Sequence, residues 1–77
     1  WDRKTLPHHK IYTMTETKVY KLHDSIHVEA FTTSLGIEGI KHNVFEYEEY
    51  TAIEVTGTPL EIIRASTIYQ QVTTIKL

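Results

Sequence analysis

The sequence predicts an α+β fold: a small antiparallel β-meander of three to four strands packed by one C-terminal helix, in the order β-β-β-α-β. Three observations carry that expectation. Twelve threonines, nine isoleucines and five valines make 26 of the 77 residues β-branched, and such side chains lose rotamer freedom in helices while packing well on a pleated surface. Through residues 25–37, Ile26, Val28 and Ala30 alternate with His27, Glu29 and Phe31, the period of a half-buried strand. Gly57-Thr58-Pro59-Leu60-Glu61 then reads as a helix start, with a threonine cap, proline at the first helical position and glutamate three residues after the cap.

Taken in order, residues 1–9 contain Pro7 and little periodicity, and are expected to form a flexible N-terminal arm. Residues 10–77 are expected to form one β-rich domain. Residues 10–22 have strand composition, and His23-Asp24 can turn the chain because aspartate bonds its own backbone. A hairpin closed there so that Leu22 faces Ser25 would set Val19 opposite Val28 and Lys18 opposite Glu29, both favourable cross-strand pairs. Residues 25–37 form the second strand, and Gly39 can supply the positive φ of a type II turn in Ile37-Glu38-Gly39-Ile40. That hairpin would also oppose Glu29 and Glu48, so either a bulge near Glu48-Glu49 shifts the register or residues 33–43 form a loop with one helical turn. The third strand ends in residues 50–56, with Ile53 and Val55 on one face.

From Pro59, the residues Ile62, Ala65, Ile68, Tyr69 and Val72 fall on one helical stripe, while Leu60 and Ile63 lie off it. The helix is expected to stop near Gln71, and residues 72–77 to return as a fourth strand. Residues 66–77 also read as a single long strand.

A chain of this length has room for one core. Cysteine is absent, so neither a disulfide nor a thiolate zinc cage can staple it, which leaves a partner chain, a second copy or a very regular sheet. No apolar run approaches the roughly 20 residues that cross a bilayer, and the opening residues lack the apolar stretch of a secretory signal. The expectation is therefore a soluble domain with no membrane partner. Lack of cysteine fits a reducing, cytoplasmic setting and many extracellular proteins alike. Because the sequence opens on Trp1 and its one methionine is Met14, it is read as processed, cut from something longer, or begun at its first ordered residue.

The formal charge is −2 and unevenly spread. Residues 1–27 hold five Lys/Arg against three Asp/Glu, and residues 28–77 hold three against seven. An acidic body argues against phosphate-backbone binding, which needs clustered lysines and arginines.

Each candidate for chemistry has a plainer reading. His8, His9, His23 and His27 invite a metal, but His23 and His27 would stand about 13 Å apart along a strand, and solvent-facing histidines are expected instead. They could also charge below about pH 6.5. Glu46, Glu48, Glu49 and Glu54 crowd one segment, as on an acidic sheet edge kept from aggregating, whereas hydrolytic carboxylate pairs come from different elements. Ser25 lies near His23, Asp24 and His27 without a strained nucleophile elbow. Gly36-Ile37-Glu38-Gly39 lacks the Lys-Ser/Thr of a phosphate loop. The sequence thus points to a protein that is not an enzyme, with no cofactor and no metal.

Two functional readings remain. The preferred one is a non-catalytic protein–protein interaction module, an assembly subunit or small regulator, working with a protein partner or by self-association. Its expected contacts are Tyr47, Tyr50, Leu60 and Ile63, with Trp1 and Arg3 in an arm that orders on binding. The alternative is a single-stranded nucleic-acid-binding regulator using Lys10, Tyr12, Lys18, Tyr20 and Lys21. There, strand aromatics, among them Phe31 and Phe45, would stack bases beside the basic N-terminal third.

Overall fold

A computed structural model describes residues 14–75. The chain runs through β1 (Glu16–Leu22), α1 (Ser25–Glu38), β2 (Lys41–Glu46), β3 (Thr51–Gly57) and α2 (Pro59–Thr73). The strands form one antiparallel sheet in the order β1-β3-β2. Because β1 and β2 are each antiparallel to β3, they run parallel to one another, joined by the α1 crossover. β3 fills the slot between them, as in a split β-α-β unit.

The small α+β class with an antiparallel sheet therefore holds, whereas the order β-β-β-α-β is corrected to β-α-β-β-α. The largest change lies in residues 25–37, expected as a strand and found inside α1. His27, Val28, Phe31, Ser34 and Leu35 make the stripe that turns inward, with Phe31 and Leu35 fully buried. That spacing is helical. Ile26 and Ile37, which supported the alternating pattern, are exposed.

Both ends of α1 have local causes. Asp24 keeps extended backbone angles, and its carbonyl accepts from the Val28 N–H at 3.0 Å to start the helix. His23-Asp24 is thus a strand-to-helix junction. The facing of Leu22 with Ser25, Val19 with Val28 and Lys18 with Glu29 gives way to Leu22 with Thr51, Val19 with Glu54 and Lys18 with Val55. At the other end Gly39 takes φ 73°. Its N–H donates to the Gly36 carbonyl at 3.1 Å, and the Ile40 N–H donates to the Leu35 carbonyl at 2.9 Å. This is a Schellman closure, with Ile40 and Leu35 both buried beside it. The positive φ anticipated at Gly39 is present, but it ends a helix where a hairpin turn was expected.

The irregularity at Glu48-Glu49 is a turn and not a bulge. Glu46 pairs with Thr51, and the Tyr47 N–H donates to the Tyr50 carbonyl at 2.9 Å, leaving two residues at the tip. Residues 33–43 comprise the end of α1, the two-residue connection Gly39-Ile40 and the start of β2, in place of a hairpin or a loop with one helical turn.

α2 begins as its sequence dictates. Thr58 accepts from the Glu61 N–H and Glu61 accepts from the Thr58 N–H, a complete capping box with Pro59 in the first turn. Ile62, Ala65, Ile68 and Val72 are buried and Tyr69 is half-buried, while Leu60 and Ile63 face outward. The helix continues through Thr73, and Thr74 and Ile75 form a turn. The expected final strand is absent from residues 72–75, and the single long strand over 66–77 is replaced by helix as far as Thr73.

Both helices lie on the sheet face that carries Tyr20, Leu22, Ile53 and Val55, and these side chains join Phe31, Leu35, Ile40 and the α2 stripe in one apolar cluster. Tyr20 and Phe31 meet within it and the half-buried Tyr69 packs against both, with ring separations of 5.2, 4.8 and 5.7 Å. The Tyr20 hydroxyl shares a hydrogen bond of 2.7 Å with Ser66 Oγ, and the Tyr69 hydroxyl donates to the Lys21 carbonyl at 3.3 Å, so both tyrosines have partners. No helix among the described residues is long and apolar enough to cross a membrane. The expected arm, residues 1–9, and residues 10–13 of the expected first strand lie outside the described residues.

Candidate interaction surfaces

Side chains alternate between the two faces of a strand, so the registers fix what the helix-free face displays. Across it run Thr17, Thr56 and Lys41; then Val19, Glu54 and Asn43; then Lys21, Ala52 and Phe45. Tyr50 and Tyr47 extend the series at the hairpin tip, their rings 5.1 Å apart. No described element covers this face. Val19, Phe45 and Tyr47 are 53%, 44% and 57% exposed. Ala52 is nevertheless buried, because Lys21 and Phe45 flank it in register.

Polar groups on the face are partly engaged with one another. Thr17 and Thr56 share a hydroxyl hydrogen bond of 3.2 Å, and Asn43 Nδ2 donates to Glu54 Oε1 at 3.3 Å. At the tip, Lys21 Nζ lies 4.9 Å from the Tyr50 ring centre, a cation–π distance. His23 Nδ1 donates to the Glu49 carbonyl at 3.2 Å. These contacts tie the β1–α1 junction to the β2–β3 turn. The turn holds although none of its residues takes the positive φ of the favoured two-residue hairpins.

The sequence-selected residues separate accordingly. Tyr47 and Tyr50 stand together at the hairpin tip. Leu60 and Ile63 lie in the first turns of α2, 77% and 61% exposed, on the helix layer and away from the open sheet face. Trp1, Arg3, Lys10 and Tyr12 lie outside the described residues. Lys18, Tyr20 and Lys21 are on β1, but Tyr20 points into the core and Phe31 is buried in α1. Val19 on the open face was not singled out as a contact, and Phe45 was named only as a base-stacking aromatic. The signal for Val19 was available, since it is an apolar residue on β1, whose opposite face supplies Tyr20 and Leu22 to the core.

Chemistry-bearing side chains do not converge among the described residues. Among the described residues there is no group of three His, Asp or Glu placed to hold a metal ion. His27 Nε2 donates to the Ile75 carbonyl at 3.2 Å, and its Nδ1 is 3.8 Å from Asp24 Oδ2. This histidine therefore links the start of α1 to the turn after α2. His42 bonds the neighbouring Ile40 carbonyl. Glu46, Glu48 and Glu49 are exposed and Glu54 is half-exposed. Glu38 accepts from Arg64 Nη2 at 2.9 Å, an ion pair between the two helices. That hydrogen bond and charge hold the Glu38 carboxyl below its ordinary value and raise Arg64 above its own.

A small two-layer α+β domain with one open sheet face is the class that fold and surface define. No family model, curated protein or solved structure matches the chain.

Proposed function

We propose that this protein is a non-catalytic protein–protein interaction module that self-associates through the open face of its sheet. The observation that supports this reading is the set of apolar side chains left uncovered on that face, Val19 on β1 and Phe45 and Tyr47 on the β2 side, beside the partly exposed Tyr50. Exposed apolar patches rimmed by polar groups mark interaction sites.

The occupant follows from the charge pattern. Stacking two copies with matching rows aligned would bring Glu54 onto Glu54 of the other copy, an unfavourable contact. Reversing one copy end to end sets Glu54 over Ala52, and Lys41 over the tip that carries Glu48 and Glu49. Such an arrangement is isologous, so each favourable contact occurs twice. A three-stranded face of seven residues measures roughly 23 by 14 Å, so about 650 Å² is covered in total, below the roughly 1,200 Å² of a stable standard interface. The association is accordingly weak and concentration-dependent.

Light scattering across a hundredfold dilution tests this. A mass approaching twice the 9.0 kDa of one chain at high concentration, falling on dilution and abolished by Phe45→Glu, is the expected result. A single-chain mass at every concentration overturns it. The nucleic-acid reading has less support, since Tyr20 is buried and the hairpin beside Lys21 is acidic.

A further inference from the structure

The outer edge of β1 has a different chemistry. Antiparallel neighbours alternate between pairs that exchange backbone hydrogen bonds and pairs that do not. The Tyr47 to Tyr50 bond sets the phase, so Ala52, Glu54 and Thr56 direct their backbone groups to β2. Thr51, Ile53, Val55 and Gly57 direct theirs to Leu22, Tyr20, Lys18 and Glu16. Thr17, Val19 and Lys21 must then aim their N–H and carbonyl groups away from the sheet. The Tyr69 hydroxyl agrees independently, since it donates to the Lys21 carbonyl at 3.3 Å from outside the ladder. Among the described residues no strand pairs with this edge.

Alongside the edge runs a groove of about 370 Å³ between β1 and α2, lined by Lys18, Val19, Tyr20, Lys21, Ser66, Tyr69 and Gln70. Two lysines line it and no carboxylate does. Lys18 flanks it from the helix side, with Nζ 5.3 Å from the Tyr20 ring centre, and Lys21 flanks it from the open-face side.

We infer that β1 and α2 form a docking groove for an extended acidic peptide, which adds to the sheet as a fourth strand beside β1. Main-chain bonds to Thr17, Val19 and Lys21 supply affinity, as in other strand-addition complexes. The two lysines select carboxylates and repel a basic strand. Three outward-facing residues suit a ligand of about five to seven residues. This deepens the reading of the protein as a binding module by naming a second surface and its partner.

The probe is a fluorescein-labelled, end-capped heptapeptide of alternating valine and glutamate, followed by fluorescence anisotropy. Three changes separate strand addition from simple charge attraction. Val19→Pro removes one outward N–H while sparing the β1–β3 ladder, since proline is tolerated where that group faces solvent. Val19→Thr retains the N–H. N-methylating alternate peptide residues removes the ligand's own donors. The expected result is binding to the wild type and to Val19→Thr, roughly tenfold weaker binding to Val19→Pro and to Lys18→Glu, and loss with the methylated peptide. Undiminished binding of Val19→Pro, or of the methylated peptide, overturns the inference, as does failure of the wild type to bind. A mass that halves in Val19→Pro without any peptide binding would assign the edge to a second copy and equally overturn it. Light scattering on the same samples keeps the two proposals distinct: a monomer that binds the peptide ends the self-association reading and leaves this one standing.

Discussion

At the scale of single residues, Phe31 is the bulkiest of the core side chains that are closed off from solvent. It is fully buried and meets both Tyr20 and Tyr69 edge-on, so Phe31→Ala removes a large side chain from a site lined on several sides. Such truncations cost about 3–5 kcal/mol, against a total stability of roughly 4–12 kcal/mol for a domain of this length. Urea denaturation should show the midpoint falling by about a quarter or more, and a loss under about 1 kcal/mol would mean that the aromatic cluster is not packed as described. The ion pair of Glu38 and Arg64 acts on a smaller scale, both groups being exposed. Because the folded carboxyl titrates below its ordinary value of 4.5, its stabilising contribution is present above that value and is lost as pH falls through the folded one. An NMR titration of Glu38 in wild type and in Arg64→Gln checks the cause. The carboxyl should return toward its ordinary value in the variant, and an unchanged titration would remove Arg64 as the source.

The elements differ in how far the sequence revealed them. α2 was legible because its start is written in four consecutive residues from Thr58 to Glu61 and its stripe is purely apolar apart from Tyr69. Ile53 and Val55 were legible for a similar reason, since β3 is the central strand and both fall on its buried face. α1 was not, because its inward stripe contains His27 and Ser34 while Ile26 and Ile37 point to solvent. This mixture blurs the helical period and mimics strand alternation. Its brackets were visible all the same, in Asp24 before the helix and Gly39 after it, and a cap at each end outweighs alternation over a few residues. The open face of the sheet could not be recognised until α1 had been removed from the strands. The alternation along β1 yields a prediction of its own. Amide hydrogen exchange should be slow at Lys18, Tyr20 and Leu22, which bond β3, and fast at Thr17, Val19 and Lys21. Uniform protection along β1 would show that something covers the outer edge, and uniform exposure would show that the β1–β3 ladder opens readily.

For the whole molecule, the two assignments of residues 25–37 imply different helix contents, and one spectrum separates them. With α1 and α2 formed, 14 and 15 residues are helical, whereas a three-strand meander with one terminal helix leaves about half that signal at 222 nm. The topology adds a second consequence. β1 pairs with β3 across α1 and β2, as between Glu16 and Gly57, while both helices bury their stripes against the same cluster of Tyr20, Leu22, Ile53 and Val55. Neither helix has a core apart from the other, so local loss of one exposes the surface that holds the second. Thermal unfolding should therefore proceed in one step, with the far-ultraviolet helix signal and the near-ultraviolet signal of the Tyr20 and Tyr69 rings disappearing together. If part of the 222 nm signal outlasts the aromatic signal, at least one helix is held by contacts outside that cluster. The exposed Leu60 and Ile63 on α2 are then the first places to look, since substituting them with glutamine should otherwise move the transition by no more than about 0.5 kcal/mol each.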